Sequence, residues 1–329
     1  MTLQSRKEPV LWRQIQRTNF TCVQELAKFL ELSPALNEQL LIAPKFALNL
    51  PQRLASKICK NTFEDPLFRQ FVPLNRELEK APGFVTDPVC DSTFQQGKQI
   101  LHKYKGRALW LTSAACAMHC RYCFRQNFPY ETALQNGGSA MTYLQEQTGI
   151  KEIILSGGDP LSLSQEALSD LLQAFDAIPH IQRIRFHTRF PIGIPERIDD
   201  SLLALFRSIK KQIIFIIHCN HPRELDRDVL LALSRIRELG IPILNQSVLL
   251  KGVNDDGPTL LALCEALVNA GIMPYYLHLL DPVTGSAHFE VPENQGIALI
   301  KYVQEHLSGY GVPRLVREEA GCSSKTFII

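Results

Sequence analysis

The chain has 329 residues, of which 45% are hydrophobic, and its net charge is only +2 at pH 7. This composition predicts one large α/β domain with a modest N-terminal addition, and the near-neutral charge argues against binding to nucleic acid or to a membrane surface. The sequence contains no run of about eighteen apolar residues, so we expect no transmembrane helix. The first residues do not have the pattern of a secretory signal. Most of the nine cysteines are scattered singly, which is typical of a cytoplasmic protein.

Residues 1–100 are predicted to form a mainly helical and irregular extension. Apolar residues recur at helical spacing after a Thr, Ser or Pro in Thr21–Leu32, Pro34–Ile42 and Pro51–Ile58, which predicts three short helices. The stretch Asn61–Pro88 is rich in Pro, Asp and Glu and predicts a loop.

Residues 101–312 show a different pattern. Short apolar runs alternate with helical stretches at roughly thirty-residue intervals, which is typical of repeated βα units with a parallel sheet. Six strands predict an α/β fold that forms a partial (β/α)6 barrel, followed by a short C-terminal segment at 313–329. The predicted strands are Ala108–Thr112, Glu152–Ser156, Ile184–His187, Gln212–His218, Ile243–Leu249 and Tyr275–Leu280. The predicted helices lie near 139–148, 164–177, 199–209, 226–239, 258–270 and 292–308.

Three cysteines stand directly after the first predicted barrel strand. Cys116, Cys120 and Cys123 have the spacing C-x3-C-x2-C, and three thiolates on one loop can hold three irons of a [4Fe–4S] cluster while the fourth iron stays open. An open iron can bind S-adenosylmethionine, which a cluster electron then cleaves to a 5′-deoxyadenosyl radical. The alternatives are three unrelated thiols or a zinc site, which usually requires a fourth Cys or His. His119 lies inside the motif, where its reach is poor, so the spacing favours the iron–sulfur cluster.

A glycine-rich loop follows the second predicted strand and reads Ser156-Gly157-Gly158-Asp159-Pro160. The two glycines let the backbone approach a ligand closely, and Asp159 adds a hydrogen-bond acceptor. Because the functional loops of parallel barrels lie at the carboxyl ends of the strands, we expect this loop beside the cysteines, where it would bind the methionine ammonium group. A simple βα turn is the alternative.

Polar residues also mark the later predicted strands. His187-Thr188-Arg189 follows the third strand, His218-Cys219-Asn220-His221-Pro222 follows the fourth, and Asn245-Gln246-Ser247 lies inside the fifth. Buried polar groups must find partners. Structural hydrogen bonds would explain any one of these groups, but their convergence on one barrel mouth predicts a pocket for a polar cofactor.

Over residues 85 to 329 the sequence resembles the lysine 2,3-aminomutases, which are radical S-adenosylmethionine enzymes that also use pyridoxal 5′-phosphate. It is most similar to the short branch that makes β-lysine for the modification of elongation factor P. The resemblance is carried by Cys116–Arg125, Ser156–Pro160, His218–Pro222, Leu244–Asn254, Pro274–Phe289 and Lys325.

The resemblance implies three cofactors: a [4Fe–4S] cluster, S-adenosylmethionine and pyridoxal 5′-phosphate. Lys325 occupies the place of the family's catalytic lysine that carries pyridoxal phosphate, although its turn, Gly321-Cys322-Ser323-Ser324, is less rich in glycine. The other implied cofactor contacts are Arg107 and Lys103 for pyridoxal phosphate, Gly157, Gly158, Asp159 and His218 for S-adenosylmethionine, and Gln246 for either cofactor.

The resemblance also implies how the substrate, free L-lysine, is held. Arg125, two residues after the third cysteine, matches the arginine that binds the substrate carboxylate, and a planar guanidinium suits that role. Asp281 and Glu318 match the two carboxylates that bind the ε-ammonium group. The family has an aspartate at position 318, so the acid here reaches one methylene further.

The implied reaction moves the α-amino group of lysine to the β-carbon and yields (R)-β-lysine for an elongation factor P ligase. A flavodoxin or ferredoxin is the expected electron donor, and a homo-oligomer is possible. One alternative is an aminomutase for glutamate or arginine, although a glutamate enzyme would not need two acids around the side chain. The other is a non-catalytic iron–sulfur or zinc-binding regulatory module, which would leave the glycine loop and the polar strand ends unexplained.

Overall fold

The computed structural model describes residues 11–133 and 138–329 and contains one nine-stranded sheet. The first ten residues of the predicted extension therefore lie outside the described residues. The strands are β1 (Ile100–Tyr104), β2 (Arg107–Ser113), β3 (Glu152–Gly157), β4 (Arg183–Thr188), β5 (Gln212–Ile217), β6 (Ile243–Val248), β7 (Met273–His278), β8 (Arg314–Arg317) and β9 (Thr326–Phe327).

The strands follow one another across the sheet in chain order. Strands β2 to β8 run parallel, whereas β1 and β9 add antiparallel edges. Because β1 and β9 stand at opposite ends of this order, the barrel is open, and the predicted partial barrel is confirmed. The six predicted strands correspond to β2 to β7. Strands β1, β8 and β9 were not predicted, and β8 and β9 place the C-terminal segment in the same sheet.

Helices cover the outside of the parallel strands, as the alternating pattern predicts. The α-helices are α1 (Leu11–Gln16), α2 (Val23–Phe29), α3 (Pro34–Asn37), α4 (Gln52–Lys57), α5 (Pro66–Phe71), α6 (Tyr130–Ala133), α7 (Gly138–Glu146), α8 (Gln165–Asp176), α9 (Phe190–Gly193), α10 (Asp200–Ser208), α11 (Arg227–Arg237), α12 (Gly257–Asn269) and α13 (Glu293–His306). None of the helices in the described part of the chain is long and apolar enough to cross a membrane.

The six predicted barrel helices are confirmed as α7, α8 and α10 to α13. Three short helices were also predicted in the extension, and they correspond to α2, α3 and α4. The predicted loop at Asn61–Pro88 contains α5, which the sequence analysis missed. Asp65 begins this helix by accepting hydrogen bonds from the N–H groups of Leu67 and Phe68, as a helix N-cap does.

The N-terminal extension shares its hydrophobic core with the barrel. Trp12 of α1 packs edge-on against Phe190 of α9, with 5.4 Å between ring centroids. Leu26 of α2 and Phe68 of α5 belong to the same buried cluster as the helices and strands of the barrel. The extension therefore lies directly against the barrel, on the side that carries the loop after β2.

Candidate active site

The barrel encloses one large cavity of about 880 Å³. It runs from the amino ends of the strands, at Arg107, to the loops at their carboxyl ends, at Asp159. Every site residue that the family resemblance implies lines this cavity. These residues are Lys103, Arg107, Cys116, Cys120, Cys123, Arg125, Gly157, Gly158, Asp159, His218, Gln246, Asp281, Glu318 and Lys325.

The cysteine loop lies at the carboxyl end of β2. Burial raises the pKa of Cys116 well above its ordinary value, and burial together with the neighbouring Cys120 raises the pKa of Cys123 to about 11. Burial raises the pKa of Cys219 and Cys264 in the same direction, so the shift is common to buried thiols. The loop fits a [4Fe–4S] cluster because its three cysteines, with the spacing C-x3-C-x2-C, line one cavity. His119, the extra ligand that a zinc site could use, directs its Nδ1 to the carbonyl oxygen of Ala47 at 2.7 Å.

The glycine-rich loop packs directly on the cysteine loop. The N–H of Gly158 donates to the carbonyl of Ser113 over 2.6 Å, and that of Asp159 donates to Ala115 over 2.8 Å. A Cβ at Gly158 would overlap the carbonyl of Ala115 and would lie 2.8 Å from the carbonyl oxygen of Ser113. The need for glycine at this position therefore comes from the contact between two loops, which the sequence could not distinguish from a contact with a ligand.

The carboxylate of Asp159 is surrounded by protein donors. It accepts hydrogen bonds from the N–H groups of Leu161, Arg189 and Phe190 at 3.0, 2.8 and 3.0 Å, and from the hydroxyl of Thr188 at 2.7 Å. Burial raises the pKa of Asp159, and these bonds partly offset that effect. In this structure the side chain therefore holds together the loops that follow β3 and β4.

Three histidines face the cavity, and the sequence analysis identified only two of them. His187 is the last residue but one of β4, His218 follows β5, and His278 ends β7. Burial lowers the pKa of His218 to about 3 and lowers the pKa values of His187 and His278 well below their ordinary value. Within the described residues, the Nε2 atoms of His187 and His278 are buried without a partner, so the cavity wall offers neutral polar atoms to a ligand.

The polar side chains of strand β6 point to opposite faces of the sheet. Gln246 lines the cavity. Asn245 and Ser247 are buried on the opposite side, where both bond the backbone of Cys219. The predicted convergence on one pocket is therefore correct for Gln246 and wrong for its two neighbours, because successive side chains of a strand point to opposite faces.

Lys325 lies between β8 and β9 and forms an ion pair with Glu318, with Nζ 2.9 Å from Oε2. Lys103 contacts the other oxygen of Glu318 over 2.7 Å, and the hydroxyl of Tyr104 donates to the same oxygen. Burial alone would raise the pKa of Glu318, but these partners lower it to about 2. Lys103 also donates to the carbonyl of Val89 over 3.0 Å, so its ammonium group is committed to protein partners.

Asp281 faces the same end of the cavity. Burial raises its pKa to about 7, with the positive charge of Lys325 opposing the shift and the negative charge of Glu318 adding to it. The two carboxylates that the sequence pairs are thus brought to one place. Their charge states differ because, among the described residues, Glu318 has cationic side chains in direct contact and Asp281 has none.

Arg125 is buried at the cavity wall and already has a carboxylate partner. Its Nε donates to Asp91 over 2.8 Å and its Nη1 to the hydroxyl of Ser156 over 3.2 Å. The sequence analysis missed Asp91, which also lines the cavity. Asp91 lies in the N-terminal extension and carries no local motif, so no signal in the sequence could have paired it with Arg125.

The part of the cavity at the amino ends of β2 to β4 is rich in cations. Arg107 packs on the ring of Tyr104, with 4.4 Å from Cζ to the centroid. The Nε of Arg185 is buried without a partner among the described residues. A phosphate group fits such a surrounding. The basic residues that line this end are Lys105, Arg107, Lys151, Arg183 and Arg185, and the acidic residue is Glu152.

A family profile described as "4Fe-4S single cluster domain" matches residues 105–188, which include the three cysteines and the glycine-rich loop. A crystal structure of a radical SAM methyltransferase from Sphaerobacter thermophilus is 15% identical, with a TM-score of 0.49 over 66% of this chain and 68% of that one.

Two curated relatives cover most of the chain. The L-lysine 2,3-aminomutase of Haemophilus influenzae is 40% identical over 97% of both chains. The L-lysine 2,3-aminomutase of Escherichia coli K12 is 43% identical over 85% of this chain and 83% of its own length. The protein therefore belongs to the lysine 2,3-aminomutase family of radical S-adenosylmethionine enzymes, which use a [4Fe–4S] cluster and pyridoxal 5′-phosphate.

Proposed function

We propose that this enzyme moves the α-amino group of L-lysine to the β-carbon and yields (R)-β-lysine. The observation that carries the proposal is the cavity, where the three-cysteine loop, Lys325 and the carboxylates of Asp281 and Glu318 face one enclosed space. These residues supply sites for a cluster, for pyridoxal phosphate and for a substrate ammonium group within one barrel. The similarity to proteins named L-lysine 2,3-aminomutase supports lysine as the substrate.

The cofactors, when bound, supply one-electron chemistry that breaks a C–H bond and shifts an amino group. Cys116, Cys120 and Cys123 would hold the cluster through their thiolates. Lys325 would bind the aldehyde of pyridoxal phosphate, with Arg107 near its phosphate. The loop at Gly157-Gly158-Asp159, with His218 and Gln246, would contact S-adenosylmethionine or the pyridoxal ring, and Asp159 would act mainly by fixing that loop.

The substrate would lie with its ends at two different groups of residues. Glu318 already holds an ammonium group, that of Lys325, at 2.9 Å. With pyridoxal phosphate on Lys325, this position would be free for the ε-ammonium of lysine, and Asp281 would supply the second negative charge. Arg125 would bind the carboxylate of the substrate, which must then share the guanidinium with Asp91. The barrel wall would exclude water from the reacting atoms.

The sequence predicts that Lys103 contacts the phosphate of pyridoxal phosphate, but its contacts in the structure favour a different role. Its ammonium group bonds Glu318 and the carbonyl of Val89, and both Lys103 and Glu318 are largely buried. Breaking a buried ion pair is costly. We therefore propose that Lys103 helps to position Glu318 for the substrate ammonium.

The wider role of the enzyme is proposed from the family resemblance. We infer that β-lysine passes to a ligase that modifies elongation factor P, that a flavodoxin or ferredoxin reduces the cluster, and that the chain can form a homo-oligomer. All nine cysteines lie in the described residues and are unpaired. Free thiols suit a reducing compartment, which supports the expected location in the cytoplasm.

An anaerobic assay tests the proposed reaction. Iron-loaded protein is incubated with S-adenosylmethionine, pyridoxal phosphate, a reductant and either lysine, glutamate or arginine, and the products are separated by chiral chromatography and mass spectrometry. We expect (R)-β-lysine from lysine and at least about a hundredfold less product from the other two, since the side chain of glutamate is an anion and the guanidinium of arginine is larger than the ammonium group of lysine. Lysine recovered unchanged, or preferential conversion of glutamate or arginine, would contradict the proposal. Lys325→Ala is the inactive control.

A further inference from the structure

A buried arginine beside the cysteine loop has no part in the roles described so far. Arg189 follows β4 and is only 7% exposed. Its N–H donates to the carboxylate of Asp159 over 2.8 Å, and its guanidinium lies over the ring of Phe71, with 4.7 Å from Cζ to the centroid. The backbone and the side chain of Arg189 are therefore both held by neighbouring residues.

The guanidinium of Arg189 joins three parts of the chain. Its Nη2 donates to Oε2 of Glu224, after β5, and to Oε1 of Gln70, in α5, both over 2.6 Å. Its Nη1 donates to Sγ of Cys120 over 2.8 Å and to the hydroxyl of Tyr122. Because a guanidinium presents its donors in fixed directions, the two partners of Nη2 determine where Nη1 points.

Glu224 is itself fixed from several sides. It is fully buried, and its Oε1 accepts hydrogen bonds from the N–H groups of Asn220 and His221, both over 3.0 Å. The amide of Gln70 donates to the same oxygen over 3.2 Å. The carboxylate therefore cannot move away from Arg189 without leaving several donors unpaired, and the cation stays next to the sulfur of Cys120.

This arrangement distinguishes Cys120 from the other two cysteines of the loop. Among the described residues, its sulfur is the only one of the three that accepts a hydrogen bond from a charged side chain. Cys116 is instead held through its backbone carbonyl, which accepts a hydrogen bond from the side chain of Asn49 over 3.1 Å.

We propose that Arg189 is a positioning residue for the cluster, whose Nη1 donates to the thiolate of Cys120 and raises the reduction potential of the cluster. Reduction adds a negative charge to the cluster, and a cation with a hydrogen bond to a ligand sulfur stabilises the more negative state. Gln70 and Glu224 would keep that cation in place. The inference rests on the cluster ligands named in the proposed function, but it requires no particular amino acid as substrate.

The midpoint potential of the cluster tests this role, because a residue that merely stabilised the fold would not shift it. Redox titration followed by electron paramagnetic resonance compares the wild type with Arg189→Lys and with the charge-neutral pair Arg189→Gln plus Glu224→Gln. For both variants we expect a lower potential at full iron content. In the paired variant the ratio of reduced to oxidised cluster at a fixed potential should fall about tenfold, which corresponds to about 59 mV for a one-electron couple.

A matched control uses Arg197, a buried arginine that makes no hydrogen bond to the cysteine loop in the described part of the chain. Arg197 packs beside Trp12 and donates its Nε to the carbonyl of Leu161 over 2.9 Å, so Arg197→Lys should destabilise the fold without shifting the potential. An unchanged potential in both Arg189 variants, or an equal shift in Arg197→Lys, would overturn the inference.

A second measurement uses only the wild type and so does not depend on any variant folding. Protein labelled with arginine that carries ¹⁵N only in the guanidinium, so that the backbone nitrogens of Arg121 and Arg125 stay unlabelled, is reduced with dithionite. It should show a weak ¹⁵N hyperfine coupling to the cluster, because Nη1 of Arg189 lies 2.8 Å from Sγ of Cys120. The absence of this coupling in fully iron-loaded protein would also overturn the inference. Failure of the wild type to bind iron would instead contradict the cluster assignment itself, so the two outcomes are distinguishable.

Discussion

Asp281 and Glu318 face the same end of the cavity with different affinities for a proton. Glu318 has Lys325, Lys103 and Tyr104 as partners, and its pKa is lowered to about 2. Burial raises the pKa of Asp281 to about 7. Near neutral pH, one carboxylate is therefore always charged, while the charge of the other depends on pH and on the presence of a cation.

This difference predicts a pH dependence of lysine binding. Below pH 7 Asp281 is largely protonated and attracts the substrate ammonium poorly, whereas above pH 7 it is charged. The ε-amine of lysine stays protonated throughout this range. We expect KM for lysine to fall about tenfold between pH 6 and pH 8, as one ionisation with a pKa near 7 requires, and we expect Asp281→Asn to remove this part of the profile.

Steady-state kinetics of the two proteins across this range give the comparison. Glu265→Gln, a change on the exposed side of α12, serves as the control and should keep the wild-type profile. If KM for lysine depended on pH in the same way in the wild type and in Asp281→Asn, Asp281 would not contribute to binding of the substrate ammonium.

The site residues differ in how far the sequence could predict them. The cysteines and the glycine-rich loop form local motifs, and their physical chemistry alone indicated a cluster. Lys325 lacks such a motif. Its neighbours in the sequence predict a solvated surface charge, so the role of Lys325 was inferred from the family resemblance alone. The Arg125 partner Asp91 was not predictable because the fold brings it to the site from the extension.

At the scale of elements, the contact between the loops after β2 and β3 determines the shape of the cluster site. The N–H groups of Gly158 and Asp159 bond the carbonyls of Ser113 and Ala115, the residue before Cys116. There is no room for a side chain at Gly158. A substituent there must push the cysteine loop away from the glycine-rich loop.

We therefore expect Gly158→Ala to destabilise the fold by about 1–3 kcal/mol, as overpacking does, and to lower the iron content, because the displaced backbone leads directly into Cys116. Urea unfolding and iron analysis measure the two effects. Gly149→Ala is the matched control: a Cβ there has no neighbour within 4 Å, so both quantities should stay at the wild-type level. Wild-type iron content in Gly158→Ala would show that the loop contact is not needed for the cluster.

Strands and helices were predictable where their pattern was long and regular. Strands β2 to β7 are short apolar runs set between amphipathic helices, and all six were predicted. Strand β8 reads Arg314-Leu315-Val316-Arg317 and is only four residues long, so it offers too little alternation to be recognised. Helix α5 was missed because the surrounding Pro and acidic residues predicted a loop, although Asp65 and Pro66 are a suitable N-cap and first residue for a helix.

At the scale of the whole molecule, the N-terminal extension supports the cysteine loop from outside the barrel. Asn19 donates to the carbonyl of Ala117 over 2.8 Å and to the side chain of Asn49 over 2.7 Å. Asn49 in turn donates to the carbonyl of Cys116 over 3.1 Å, and its own carbonyl accepts the N–H of His119 over 2.9 Å. Because cluster ligands and extension are joined by these bonds, the extension should affect metal retention as well as folding.

Replacement of Asn49 by Ala separates these two effects. The variant loses the side-chain bonds to Cys116 and Asn19 but keeps the backbone bond to His119, a net loss of about 1 kcal/mol. If this loss destabilises the conformation of the cysteine loop that binds the cluster, iron release to a chelator should be about fivefold faster. Asn37→Ala removes a bond of the same type to the carbonyl of Leu32, remote from the cysteines, and should release iron at the wild-type rate. Equal release rates from both variants and the wild type would mean that the extension stabilises the fold alone, whereas faster release from Asn49→Ala only would make the extension part of the cluster site.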